Sequence, residues 1–292
     1  MTCDCDFDIY SFKDNKISER LELHSVMTVL IGERILSKMQ KGTTRILSKE
    51  GITPDIFSNI VLLGLALHDL GKALPKYQKS NKEKLSFFNH EIYSFYFATK
   101  ILYLLNSSIL EKKRSLAKKI NSIILGTSLA ILRHHQAMRD EIKIILNLCK
   151  IKAQLKDNEV TKYIFCAINK ISKALLDAKS KVANDIGIKL NKIDYMTIRD
   201  LINEFEECDD ESKWLSRCVR LCYNEETDLQ ALKVSYHSYY MASQILLISD
   251  NISAFLTRNG YNLDDFCQLT NFKRRFIRKI ALNIRKIICG GV

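Results

Sequence analysis

Ile60-Val61-Leu62-Leu63-Gly64-Leu65-Ala66-Leu67-His68-Asp69-Leu70-Gly71-Lys72 is the stretch on which the reading of this chain turns. An apolar run leads straight into a histidine, a carboxylate and a lysine. Uncompensated charge beside such a run is costly to bury, so these groups should be paired or bound to a metal. On a helix His68 and Lys72 are four apart and share a face, with Asp69 about 100° round from them. All three can then line one pocket. Just upstream, Thr53-Pro54-Asp55 is a helix start, with Thr53 as cap and Pro54 at the first position. The spacing predicts a helix from there to about Leu70, stopping at Gly71.

The rest of the chain has the same character. Only two prolines and ten glycines interrupt 292 residues, and 47% of them are hydrophobic, which favours long helices around a sizeable core and argues against global disorder. Further helices are expected at Ser18–Lys41 (ending at Gly42), 90–105 behind an Asn89 cap, 114–138, 141–156, 159–180, 196–208, 213–223, 227–258 and 263–288. Residues 1–16 read as an irregular lead-in, and a Lys-rich connector near 179–193 is the one candidate sub-boundary. Strand signals are nearly absent, with no Asn-Gly hairpin and no sustained alternation of β-branched residues. The expectation is an all-α protein with a single domain over residues 1–292.

Lys plus Arg outnumber Asp plus Glu by 45 to 33, a net charge of +12, which suggests a polyanionic partner. The nine cysteines are odd in number and form no C-x-x-C pair, so they read as free thiols in a reducing cytoplasm. Asp4, Asp6 and Asp8 stand where a secretory signal would be basic. No apolar stretch is read as reaching the ~20 residues that span a bilayer, so no membrane is expected as a partner. Gly64 to Lys72 is not a phosphate loop. Six residues separate Gly64 from Gly71 where four are needed, and Ala73 stands in place of Ser or Thr. Unwinding by ATP hydrolysis would have to come from another protein.

Five of the six histidines, His24, His68, His90, His134 and His135, fall in the first half, each on or beside an expected helix. His24 lies on the core-facing stripe Ile17, Leu21, His24, Thr28, Ile31, Ile35, where a lone histidine is more often a satisfied core residue than a ligand. His90 follows Asn89 in a first helical turn. His134 and His135 follow the apolar run Ile123–Leu132 and point about 100° apart. Asp250 interrupts a further apolar segment, Gln244 to Ile252. His237 lies 13 residues before Asp250, about 220° round a helix, and is not expected to join them.

The ordered set of His24, His68-Asp69-x-Gly71-Lys72, His90, His134-His135 and Asp250 resembles the HD superfamily of metal-dependent phosphohydrolases. In its H-D-x-G-K form and histidine doublet it is most similar to the stand-alone HD nuclease of type I CRISPR interference, without the helicase. The resemblance spans residues 24–250. It implies a multi-helix HD-domain bundle with a two-metal site between central helices. His24, His68, Asp69 and Asp250 would hold one ion, and Asp69, His90, His134 and His135 the other, with Asp69 shared. Two ions about 3.5–4 Å apart can serve both the attacking and the leaving oxygen of a phosphodiester. Imidazole-rich sites favour transition metals, so Mn²⁺, Fe²⁺, Co²⁺ or Ni²⁺ is expected over Mg²⁺. His68 and Asp69 would carry the chemistry with Lys72, a cation and so no ligand, facing the scissile phosphate. A helix C-terminal lysine favoured by the macrodipole is the plainer account of Lys72.

The implied activity is hydrolysis of single-stranded DNA, with RNA as a further substrate, in the cytoplasm beside a separate CRISPR helicase and a crRNA-guided surveillance complex. Two alternatives remain: an HD-type phosphohydrolase or phosphodiesterase acting on nucleotides, and a non-catalytic helical DNA-binding subunit. Basic clusters at Lys112, Lys113, Arg114, Lys118, Lys119 and at 273–286 are candidate guides for a phosphate backbone. Aromatics Phe87, Phe88, Tyr93, Phe95, Tyr96 and Phe97 beside His90 are candidate stacking surfaces, although helical aromatics are more often core.

Overall fold

The apolar run folds as a helix at the centre of the molecule. A computed structural model describes residues 5–49, 51–80, 83–112, 114–134, 159–207 and 235–268. Its helices are α1 (Leu21–Lys49), α2 (Pro54–Leu67), α3 (Pro75–Gln78), α4 (His90–Lys112), α5 (Arg114–Arg133), α6 (Glu159–Leu176), α7 (Lys181–Leu190), α8 (Tyr195–Glu207), α9 (Tyr236–Arg258) and α10 (Leu263–Gln268). The helices expected at 141–156 and 213–223, His135, and the basic cluster at 273–286 lie outside the described residues.

Thr53 caps α2 as expected, its side chain accepting from the Ile56 amide with Pro54 in the first turn. Every residue from Ile60 to Leu67 is buried. Helices α1, α4 and α5 pack around α2, α9 lies along α1 and α5, and α6 with α7 flanks α1. One apolar cluster runs through these elements from Ile9 to Leu263. The all-α expectation therefore holds, with a two-stranded sheet as the exception among the described residues. Contrary to the sequence reading, one stretch among the described residues, Pro54–Ala73, is long and apolar enough by length and composition to cross a bilayer, with an 18-residue window of mean hydropathy 1.3, but 83% of that window is buried inside the protein. Its apolarity is that of a core helix.

Several expectations need correction. Helix α2 ends at Leu67, and Leu70–Ala73 continues as a 3-10 turn. Gly71 is there for close approach and not for a left-handed stop. A Cβ on it would lie 2.1 Å from the His90 carbonyl oxygen and 2.8 Å from the Ser94 amide. The missing side chain is what lets α4 press against the turn, and the Gly71 amide donates to Ser94 Oγ at 2.8 Å. Helix α1 passes through Gly42 because one exposed glycine costs a helix only about 1 kcal/mol. It ends where the chain turns left-handed at Gly51, φ +65°. There the Gly51 amide reaches Ser48 O at 3.0 Å and the Ile52 amide reaches Leu47 O at 2.9 Å, a Schellman closure.

The lead-in is not irregular. Tyr10–Lys13 (β1) pairs antiparallel with Ser18–Arg20 (β2), with Phe12 opposite Glu19 and a register shift between Tyr10 and Phe12. Asp14 Oδ1 closes the turn by accepting from the Lys16 and Ile17 amides at 2.9 and 2.8 Å. The Lys-rich connector contains α7. Ala183, Ile186, Gly187 and Leu190 form a buried helical stripe behind its lysines, and Ser180 caps it. The free-thiol reading fails for Cys5 and Cys166, which form a disulfide with Cα atoms 5.4 Å apart, and Cys267 is not free either. Phe7 stacks against Tyr163 at 4.5 Å, which holds the N-terminal segment on α6 and brings the two thiols together.

Two glycine substitutions separate these roles. A Cβ at exposed Gly42 meets nothing within 4 Å, so Gly42→Ala should raise stability in urea unfolding by about 0.5–1 kcal/mol. Gly71→Ala should lower it by about 1–3 kcal/mol, because the neighbours it would strike are backbone atoms.

Candidate metal centre

Six of the seven expected ligands are described, and all six converge. Helix α1 carries His24, the end of α2 carries His68 and Asp69, α4 opens on His90, His134 follows the last residue of α5, and α9 carries Asp250. Asp69 and His68 are fully buried, His24 and His90 nearly so. Asp250 is the most open, its side chain 14% exposed.

Asp69 faces two groups with its two oxygens. On the Oδ2 side, His24 Nε2 lies 3.4 Å away and His68 Nε2 3.6 Å away. Asp250 Oδ1 completes this group at 3.1 Å from His24 Nε2 and 3.6 Å from His68 Nε2. On the Oδ1 side lie His90 Nε2 at 3.1 Å and His134 Nε2 at 3.6 Å. Within each group the candidate ligand atoms all lie within 4.8 Å of one another. Atoms bound about 2 Å from a common ion sit roughly 3 Å apart when adjacent, so both groups fit a divalent ion. Asp69 Oδ1 is buried without a well-directed hydrogen bond, as a ligand oxygen would be.

The imidazoles are turned the right way by their other nitrogen. His68 Nδ1 lies 2.7 Å from Leu65 O and His90 Nδ1 2.6 Å from Phe87 O, and His134 Nδ1 contacts Ile131 O. Each acceptor is three residues back, at a helix end or in a loop where carbonyls lack helical partners. In the neutral ring, an Nδ1–H that donates to this carbonyl leaves Nε2 without a proton and pointing inward.

Electrostatics follow the same geometry. Burial pushes the Asp69 carboxyl up, but Lys72 and the surrounding histidines overcome it and hold it well below the usual range. Asp250 is likewise held low against burial by His24 and His68. His24 is raised to about 10 because Glu19 and the two aspartates outweigh its burial. Burial lowers His90, whereas the aspartates raise His134 against it.

The helix that would set His68 and Lys72 on one face ends at Leu67, yet both side chains still meet at Asp69 Oδ2, as expected of one pocket. Lys72 Nζ lies 2.6 Å from Asp69 Oδ2 and 5.5 Å from the Phe87 ring centre. The structure thus places it as the cation that neutralises a buried carboxylate. Of the candidate stacking aromatics, Tyr93, Phe95, Tyr96 and Phe97 are core, Phe87 is half-buried and Phe88 is 51% exposed. His237 sits exposed in the first turn of α9 against Tyr236 and joins neither ligand group. Of the first basic cluster, Lys118 is exposed and Lys119 donates to Gly51 O at 3.1 Å. Sequence reasoning missed Glu19, whose Oε1 lies 2.9 Å from His24 Nδ1. A glutamate between Ser18 and Arg20 carries no pattern that marks it as buried.

A sequence profile of the HD domain matches residues 22–160, a span that includes His24, His68, Asp69, His90 and His134. Residues 22–160 are thus similar to an HD domain. HD domains are usually metal-dependent hydrolases of a phosphohydrolase superfamily, and the two ligand groups agree with that chemistry. No curated protein and no solved structure matches the chain. The HD-domain match leaves Glu19 and Asp250 outside it.

The metal-free protein should take up divalent ions with release of protons. His24, held at about 10, keeps its proton at neutral pH, and a bound ion must displace it. Affinity should therefore rise with pH, and calorimetry in buffers of different ionisation enthalpy measures the protons released. Asp69 and Asp250 contribute the opposite limb to stability. Both sit below the ordinary 3.8, so their contribution is present above that pH and is lost as the pH falls below it. Thermal melts of the metal-free protein should show a decline there.

Proposed function

We propose that this protein is a metal-dependent nuclease that hydrolyses phosphodiester bonds of single-stranded DNA, with RNA as a further substrate, as one domain over residues 1–292. The observation that carries the reading is the placement of Asp69, whose two carboxylate oxygens face two separate sets of imidazoles. His24, His68, Asp69 and Asp250 would hold one divalent ion, and Asp69, His90, His134 and His135 a second. Bound ions would supply Lewis-acid stabilisation of phosphoryl oxygens and a water nucleophile at neutral pH. The imidazole-rich donor set supports Mn²⁺, Fe²⁺, Co²⁺ or Ni²⁺ over Mg²⁺.

In this reading the protein's own groups hold and orient. The Nδ1 hydrogen bonds keep each Nε2 aimed inward, and the buried walls exclude bulk water. Lys72, already poised on Asp69, supplies positive charge beside a bound phosphodiester. The charge of +12 supports a polyanionic substrate. Phe88, exposed two residues before His90, offers a face for an unpaired base. Service in type I CRISPR interference, beside a separate helicase and a crRNA-guided surveillance complex, rests on the resemblance of the motif set. A cytoplasmic location goes with it. The Cys5–Cys166 disulfide weighs against that location, because reducing compartments keep thiols open.

Labelled single-stranded DNA incubated with Mn²⁺ tests the reading directly. The intact protein should cleave it, and Asp69→Ala should lose more than about a hundredfold in rate, beyond what loss of an outer partner costs. Metal analysis should find two transition ions per chain, both lost in Asp69→Ala. Equal cleavage by both proteins sinks the assignment. Hydrolysis confined to a nucleotide panel in the same assay would move the activity to small phosphoesters.

A further inference from the structure

His24 differs from the other three histidines of the centre. His68, His90 and His134 satisfy Nδ1 with a backbone carbonyl three residues earlier. His24 stands inside α1, where the carbonyls behind it are engaged by the helix itself. It needs an acceptor from elsewhere in the fold. Glu19 supplies one, from strand β2.

Glu19 is itself held on every side. Its side chain is fully buried. Arg258 Nε donates to Oε2 at 3.0 Å and Thr257 Oγ1 donates to Oε1, both from the last turn of α9. Ser11 Oγ, on the paired strand, lies 3.3 Å from the Glu19 carbonyl. Ser253 Oγ donates to the His24 carbonyl at 2.9 Å and lies 3.2 Å from Nδ1, farther than Glu19 does. A carboxylate held this firmly, with one oxygen on a histidine whose other nitrogen faces three candidate ligands, has the geometry of a carboxylate–histidine–metal relay.

We propose that Glu19 is a positioning residue of the metal centre. By accepting from Nδ1–H it fixes the His24 tautomer and ring angle, so that Nε2 is presented as a ligand to the ion shared with His68, Asp69 and Asp250. The β1–β2 ribbon is then part of the centre although it precedes the HD-domain match at residue 22. This rests on the metal-binding reading above.

Co²⁺ alone, titrated into the full-length protein and followed by its visible absorption and by calorimetry, tests both. Wild type should bind at two sites. Glu19→Ala should weaken one of them by about 10–100-fold, the usual effect of losing an outer partner, and leave the other unchanged. Glu19→Gln, whose amide oxygen still accepts from Nδ1–H, should bind closer to wild type. Arg258→Gln replaces another partner of the same buried carboxylate, on Oε2. It should lower the melting temperature yet leave Co²⁺ affinity in place. Equal weakening in Arg258→Gln and Glu19→Ala would reduce Glu19 to a purely structural role and overturn the proposal. So would a folded Glu19→Ala with wild-type Co²⁺ binding. A wild type that takes up no Co²⁺ overturns the metal-binding reading itself, and this proposal with it.

If Glu19→Ala does not fold, the wild type loaded with Zn²⁺ still decides. Long-range ¹H–¹⁵N spectra should show His24 with a protonated Nδ1 and a liganded Nε2. Ligation through Nδ1 would overturn the proposal.

Discussion

A carboxylate with no solvent exposure is the constraint from which the rest of this structure follows. Asp69 sits just past the end of the most apolar of the described helices, where an unpaired charge would cost several kcal/mol. Each compensating group comes from a different part of the chain: His24 from α1, His90 from the start of α4, His134 from the end of α5, Lys72 from the 3-10 turn. Satisfying one side chain therefore fixes how four elements meet. Gly71 belongs to the same arrangement, since a methyl group there would push α4 and its histidine away. The hydrophobic core and the polar centre are thus one construction, the first carrying the second to the middle of the fold.

Long-range convergence was legible in the sequence wherever local pattern was strong. Helix α2 announced itself by its Thr-Pro-Asp start and its apolar run, and the ligand-type residues could be read in order because each sits on or beside an apolar helix. The parts that were not legible depend on contacts the sequence does not encode locally. Strands of four and three residues are too short to show alternation. Helix α7 hid its buried stripe behind a Lys-rich composition. Gly42 looked like a stop because only tertiary packing shows that α1 continues past it.

The centre was read in the same uneven way. The residues that point into it carry chemical types that stand out against apolar neighbours. Glu19, which reaches His24 from behind, stands among Ser18, Arg20 and Glu22, where a charged residue is the ordinary occupant. Lys72 was recognised, although the α-helical spacing that suggested its place ends at Leu67. From the 3-10 turn Leu70–Ala73 its ammonium still reaches Asp69.

The Cys5–Cys166 bond also changes the connectivity of the polypeptide. Its two ends are 161 residues apart, and the closed ring contains His24, His68, Asp69, His90, His134 and His135. Asp250 is the one candidate ligand outside that ring. A covalent ring of that length restricts the unfolded chain in a way that, in the chain-entropy view, favours the folded ring by roughly 5 kcal/mol. The centre thereby divides into ligands that lie inside the ring and a carboxylate that α9 brings in from outside it.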